Sequence, residues 1–245
     1  MSLIKKINFQ ILKLSRMTWF AIRFTVHKWK KLEGILIPVN LQYGYSVLRF
    51  INNGEYEQGE ISIIRNTLQP GDTVLELGTG IGFISAYCAK KIGSENVFTF
   101  EANPFLGDNI HQLYKKNTVN PSVTFALLGE STGTKIFYRD TESFLASSII
   151  ENKKVKQEII QIPVMSLNEM ISQIRPTYLV MDIEGGEYDI FGIIDFQTIQ
   201  KVQFELHPEA LGNEKVAGIF KRLKDNHFAE DKSFSSGNNF YFQKN

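Results

Sequence analysis

Five side chains able to hold or move a proton recur at comparable places in this chain, each within or just after an apolar run. Glu76 lies in Val74-Leu75-Glu76-Leu77, Glu101 closes Val97-Phe98-Thr99-Phe100, Asp182 and Glu184 follow Tyr178-Leu179-Val180-Met181, and His207 follows Val202-Gln203-Phe204-Glu205-Leu206. Carboxylates in such positions can accept hydrogen bonds from a sugar diol or face a cation, and an imidazole that titrates near neutral pH can take a proton. The first of these runs continues into Gly78-Thr79-Gly80-Ile81-Gly82 and then into the helix-forming stretch Phe83 to Lys91. A strand that passes through a glycine turn into a helix lets the backbone approach a ligand. It also aims unpaired N–H groups and a partial positive charge at that ligand's polar or anionic groups. Glu101 stands 23 residues beyond Gly78, the interval at which an acid meets a ribose diol in adenosine-type sites. A dinucleotide fingerprint would place its third glycine at position 83, which is Phe83. A tight strand–helix turn without a ligand is the plain alternative.

These groups meet only if their apolar runs are neighbouring strands of one sheet. Tyr178 to Met181 is wholly apolar apart from its tyrosine hydroxyl, as parallel strands buried on both faces are. Strand–helix units alternate along the chain. Helices are expected from about Gln58 to Leu68, from Asn103-Pro104 to about Lys116, over Leu167 to Ile174 behind a Ser166 cap, from Glu187 to about Ile194, and from Asn213 to Asn226. Val123 to Leu128 reads as the third strand, and residues 34–48 as short strands with turns. His227–Asp231 and Phe240–Phe242 read as a closing hairpin. The sum is an α/β fold, a doubly wound (Rossmann-like), mostly parallel seven-stranded sheet with a C-terminal antiparallel hairpin, plus an N-terminal helical arm. Ligands of such sheets bind at the carboxyl ends of the strands, where the acids and His207 fall. Glu130, after Val123 to Leu128, is placed to flank an adenine or to be a solvated loop acid. Residues 131–163 interrupt the alternation and read as a hairpin inserted over the site, with a polar run from Glu151 to Glu158.

The 245 residues are 43% hydrophobic and 22% charged, which suits one globular α/β domain with additions. One cysteine, Cys88, excludes an internal disulfide. Residues 1–32 carry eight Lys or Arg and no Asp or Glu, leaving 19 basic against 26 acidic residues in the remainder. The chain therefore divides into a basic amphipathic arm, residues 1–32, and a domain, residues 33–245. In the arm a helix from Ile4 to Thr25 would set Ile4, Ile7, Ile11, Leu14 and Ile22 opposite Lys5, Lys6, Lys13, Arg16 and Arg23. It can lie on an anionic membrane surface, or pack on its own domain or a second subunit, with a nucleic-acid arm third in order. No run is long enough to span a bilayer. The expected location is cytoplasmic, with peripheral membrane contact through the arm, and a homo-oligomer is compatible with it.

Glu76-Leu77-Gly78-Thr79-Gly80-Ile81-Gly82, Phe100-Glu101-Ala102-Asn103-Pro104 and Met181-Asp182-Ile183-Glu184-Gly185-Gly186-Glu187 together resemble the FkbM-type methyltransferases of the S-adenosylmethionine-dependent class I superfamily. Asn53-Gly54-Glu55-Tyr56-Glu57 and Phe204-Glu205-Leu206-His207-Pro208 follow the same outline, and the resemblance runs from about residue 34 to the C-terminus. The first motif is shared by many class I enzymes, whereas the Asp-Ile-Glu-Gly-Gly-Glu stretch is the more specific one. The chain departs from the family in Glu76, where Asp is common, and in Ala102-Asn103-Pro104, where Pro-Asn-Pro is common. The resemblance implies S-adenosyl-L-methionine as cofactor, held by Glu57, Glu76, Gly78, Gly80, Glu101, Glu130 and Asp182. It also implies methylation of a hydroxyl on a sugar, glycan or secondary metabolite, with a small-molecule or glycan acceptor as partner and no nucleic acid.

The donor's methyl is already activated, so the protein must align an acceptor oxygen and help remove a proton. His207 and Asp182 are the candidate catalytic residues, His207 for its titration range and Asp182 because an acid ending an apolar strand is otherwise hard to satisfy. Glu184 and Glu187 can hold the Gly185-Gly186 turn through its backbone N–H groups. Asp182, Glu184 and Glu205 could meet on a divalent ion, but the Asp-Asn pair of catechol-type enzymes is missing and no metal is expected. No Asn/Asp-Pro-Pro-Tyr/Phe sequence ends the fourth strand, which argues against an amide- or adenine-nitrogen acceptor, and no lysine stands beside Asp182. Two further readings stay open: a non-catalytic adenosine-ligand module tethered by its arm, and an NAD-dependent oxidoreductase.

Overall fold

The computed structural model describes residues 28–40, 43–140, 147–149, 151 and 156–245. The expected helix from Ile4 to Thr25 lies outside the described residues. Trp29–Leu32 (β1) and Ile35–Pro38 (β2), which straddle the expected arm–domain boundary at residue 32, pair as an antiparallel hairpin. Glu33 and Gly34 form its two-residue turn with φ of 46° and 86°, the left-handed pair that matches the twist of flanking strands. Two helices follow, Gly44–Asn53 (α1) and Gln58–Thr67 (α2). The first replaces the strands and turns expected up to residue 48. Val47, Leu48 and Ile51 fall on one helical stripe and are buried by it.

Val74–Leu77 (β3) is buried at every residue and leads through the glycine turn into Phe83–Ile92 (α3). Val97–Glu101 (β4) precedes a short 3₁₀ turn at Pro104–Leu106 and then Gly107–Asn117 (α4). The stretch expected as one third strand is two. Ser122–Phe125 (β5) stays in the main sheet, and Leu127–Gly129 (β6) leaves it for a separate three-stranded sheet. The change of sheet happens at the buried Ala126, and nothing in the apolar composition marks it. Gly133–Asp140 (β7) and Gln157–Ser166 (β8) complete that smaller sheet as the two arms of the inserted hairpin.

Leu167–Ile174 (α5) starts at the Ser166 cap, and then come Tyr178–Met181 (β9), Glu187–Ile193 (α6) and Lys201–Glu205 (β10). Pro208–Leu211 (α7) is a single turn that the sequence reading omits, with His207 as its N-cap. Asn213–Asp225 (α8), Phe228–Glu230 (β11) and Asn239–Lys244 (β12) close the described chain.

The seven-stranded sheet has the order β11-β12-β10-β9-β3-β4-β5, and β12 is its one antiparallel strand. Apolar layers cover both faces, one built on α1 to α4 and the other on α5, α6 and α8. Strand order reverses between β3 and β9, which opens a crevice at their carboxyl ends. This is the doubly wound α/β fold that the sequence predicts.

Candidate functional site

A cavity of about 530 Å³ occupies that crevice, within the ~300–1,000 Å³ range of small-molecule sites. Its floor is Gly78 and Gly80 after β3, Glu101 to Asn103 after β4, and Asp182 to Glu184 after β9. Leu106, Ala126, Leu127 and Leu128 give it an apolar side, Tyr56 and Glu57 close one end, and Lys135, Phe137 and Ser147 to Ile149 of the insertion form its roof.

The glycine turn is held from beneath by polar groups that never reach the cavity. Glu76 is 2% exposed and accepts a hydrogen bond from Thr99 Oγ1, which itself accepts one from Thr79. Burial pushes the Glu76 carboxyl up to about 7, against the hydrogen bonds of Thr99 and Ser85. Gly78 (φ 89°) can only be glycine, because a β-carbon there would overlap the carbonyl oxygen of Asp182. The backbone of Gly78 bonds to Phe100 O at 2.9 Å, and Asp182 N bonds to Leu77 O at 3.0 Å. The ends of β4, β3 and β9 are thereby pinned side by side.

Glu101 stands on the cavity wall with each oxygen already accepting one backbone N–H, Gly80 N at 2.8 Å and Asn103 N at 2.7 Å. Burial raises its pKa to about 7, against the backbone N–H groups of Asn103, Gly80, Thr79 and Ala102. A carboxylate has about four acceptor positions, and a diol arriving from the cavity can share them with these N–H groups. Glu101 can therefore receive a ribose while the neighbouring apolar wall receives a base.

The other end is acidic. Asp182 and Glu184 line the cavity, and His207 lies behind them, its Nε2 at 3.8 Å from Asp182 Oδ1 and 3.4 Å from Glu184 Oε2. The imidazole is fixed by Glu187, whose fully buried side chain bonds to Nδ1 at 2.6 Å and also accepts Gly185 N at 3.2 Å. Burial works against charge on His207, but the Glu187 hydrogen bond and the charges of Glu184 and Asp182 outweigh it and push its pKa to about 9. Asp182 is pushed up to about 8 by burial and by the charges of Glu205 and Glu184, against that of His207. Glu184 is raised by burial too. Glu57, in a left-handed conformation at φ 50°, has its carboxyl pushed well up by burial and by Glu60.

Of the residues singled out in the sequence, Glu57, Gly78, Gly80, Glu101, Glu130 and Asp182 line this one cavity. Glu130 does so as an exposed residue at the rim. Glu76 sits below the turn instead of lining it, and His207 stands one layer behind Asp182. Sequence reasoning missed Tyr56, Lys135, Ser148 and Tyr188 as lining residues, and Glu60 as a buried acid hydrogen-bonded to Glu205. It assigned Glu187 to the glycine turn, which it does hold, but not to His207. Buried acids at positions 60 and 187 look in sequence like ordinary first-turn helix acids.

Among solved structures the chain is similar to a methyltransferase from Pyrococcus furiosus, at 14% identity over 94% of this chain and 98% of that one, with a TM-score of 0.48. It is also similar to magnesium protoporphyrin IX methyltransferase from Synechocystis PCC 6803, at 13% identity over 81% and 84% of the two chains and a TM-score of 0.45. A third likeness is to precorrin-6y C5,15-methyltransferase from Geobacter metallireducens, at 12% identity over 77% and 86%, with a TM-score of 0.46. No curated protein sequence matches. The model of the methyltransferase FkbM domain matches residues 76–231. That span is more than half of the chain and contains the glycine turn, Glu101 and the acidic wall, and it places this protein in the FkbM methyltransferase family.

Proposed function

We propose that this methyltransferase uses S-adenosyl-L-methionine to methylate a hydroxyl oxygen on a sugar, glycan or secondary metabolite. The observation that carries the reading is one cavity bounded at one end by Glu101 on the glycine turn and at the other by the acidic pair Asp182 and Glu184. Bound there, the cofactor supplies a methyl group on a positively charged sulfur, ready for transfer. Glu101 would accept the ribose hydroxyls, and the wall of Leu106, Ala126 and Leu128 would cover the base. The carboxyls of Asp182, Glu184 and Glu57, whose pKa values burial raises, face the cavity, and a bound sulfonium and ammonium would draw them toward the ionised form.

The acceptor hydroxyl must lose its proton as its oxygen forms the new bond. Asp182 and Glu184 stand where that proton can go, and a carboxylate lifted toward neutrality is a stronger proton acceptor than an ordinary one. His207 acts through them: held by Glu187, it balances their charge from behind. The inserted hairpin brings Lys135, Phe137 and Ser148 over the cavity, so the acceptor is selected there. Membership of a methyltransferase family leaves the nicotinamide reading without support. For the arm, contact with an anionic membrane is proposed on its charge alone.

Titration calorimetry with S-adenosyl-L-methionine and its demethylated product tests the donor, and a panel of hydroxylated sugars and metabolites tests the acceptor. Glu101→Gln should weaken donor binding by about tenfold or more. Asp182→Asn should lower turnover at saturating donor by roughly 10²–10⁴-fold, beyond whatever donor affinity calorimetry shows it to lose. Undetectable binding of the donor by the wild-type chain would overturn the proposal.

A further inference from the structure

The neighbourhood of His207 holds more carboxylates than proton removal uses. We propose that Asp182, Glu205 and His207 form a binding site for one divalent cation of the Mn²⁺ type at the acidic end of the cavity. The three residues come from the ends of the adjacent strands β9 and β10, and one donor atom from each lies within 4.8 Å of the others. Metal–ligand bonds of about 2.1 Å hold two donors roughly 3.0 Å apart at a right angle and about 4.2 Å apart in line. One ion between these three atoms meets them all after small side-chain adjustments.

Asp182 Oδ1 is shielded from solvent and has no hydrogen-bond partner among the described residues, although a buried carboxylate oxygen ordinarily has one. It faces His207 Nε2 across 3.8 Å, too far for a hydrogen bond and an ordinary separation for two donors on one ion. The other two donors are each backed by a buried acid. Glu187, 0% exposed in its side chain, takes Nδ1 of His207 at 2.6 Å, so that Nε2 is the nitrogen facing the cluster, where an ion would take the place of its proton. Glu60, 6% exposed, hydrogen-bonds Glu205. Carboxylates behind the ligating side chains are the usual support of a metal centre. Two carboxylates and one imidazole suit Mn²⁺ and its neighbours better than Ca²⁺, and three protein ligands leave positions open toward the cavity that Asp182 lines.

The inference rests on hydroxyl methylation as the reaction and adds to it. A cation here binds the acceptor hydroxyl, Asp182 becomes its ligand, and the hydroxyl proton passes to Glu184 on the cavity wall.

The test uses the full chain, stripped with a chelator and titrated with MnCl₂ in the absence of donor and acceptor, with free Mn²⁺ followed by electron paramagnetic resonance. The expected result is one Mn²⁺ per chain with the electron-spin-echo signature of an imidazole nitrogen. Glu205→Gln and His207→Gln, each checked for native thermal unfolding, should weaken it by about tenfold or more. The echo signature needs no variant, so the proposal stays testable if either substitution unfolds the chain. No binding into the millimolar range overturns it, and so does bound Mn²⁺ without nitrogen coupling. So does loss of S-adenosyl-L-methionine affinity in Glu205→Gln with no Mn²⁺ bound by the wild type, which would mean that the acids receive the donor's ammonium group. Donor calorimetry on the same stripped chain keeps the two proposals apart: a chain that binds donor but no Mn²⁺ loses only the cation site.

Discussion

The carbonyl oxygen of Asp182 fills the space that a side chain on Gly78 would need. Two segments far apart in sequence are in backbone contact at the crevice, and the glycine is required by that contact before any ligand is considered. Gly78→Ala must move the end of β9 away from β3, and it also forces a non-glycine residue to φ 89°. A loss of about 2–4 kcal/mol is expected in urea denaturation, with donor binding impaired in the protein that still folds. A variant with unchanged stability would show that the crevice tolerates separation.

Lys201 on β10 and Asp72 in the turn before β3 form an ion pair of 2.8 Å with both side chains 9% exposed. Lys201 Nζ also bonds to Thr67 O at 2.9 Å, and Asp72 accepts Thr177 Oγ1 at 3.0 Å and Gln69 N at 2.7 Å. Lys201→Met strands a buried carboxylate and should cost about 3–5 kcal/mol. Adding Asp72→Asn should recover part of that loss. The pair is remote from the cavity lining, so donor affinity of the folded variants should match the wild type. A double variant no more stable than Lys201→Met alone would rule out the stranded charge as the cause.

Glu76 links stability to pH. Its carboxyl is raised from 4.5 to about 7 by burial, so the folded chain holds a proton that the unfolded chain has released. The contribution is most favourable below pH 4.5 and is lost as pH rises through about 7. Glu76→Gln, neutral at every pH, should remove this slope. Its stability relative to wild type should rise by up to about 3 kcal/mol between pH 4 and pH 8. Urea denaturation at several pH values measures the difference, and a constant offset would refute the burial argument.

What the sequence made legible was the crevice. Apolar runs such as Tyr178–Met181 identify strands buried on both faces, the glycines after Leu77 identify the turn, and the acids after each run mark the ends that gather. The helix Gly44–Asn53 was obscured by its glycine, asparagine and β-branched content, although Val47, Leu48 and Ile51 carry a helical period. The departure of Leu127–Gly129 into a second sheet was not legible, because strand composition does not say which partner a strand will find. The same holds for Glu187 and Glu60, whose parts depend on side chains brought to them by other strands.

Among the described residues, Ser148 ties the insertion to the acidic wall. Ser148 pairs through its backbone with Tyr138, at 2.8 and 3.1 Å, and its hydroxyl donates to the carbonyl of Glu184 at 3.1 Å. Roof and acidic wall therefore share a fastening, and a change of hairpin geometry is felt at the carboxylate. Grafting the hairpin of a relative onto this scaffold would carry its acceptor preference across only if the graft keeps a hydroxyl at this seam.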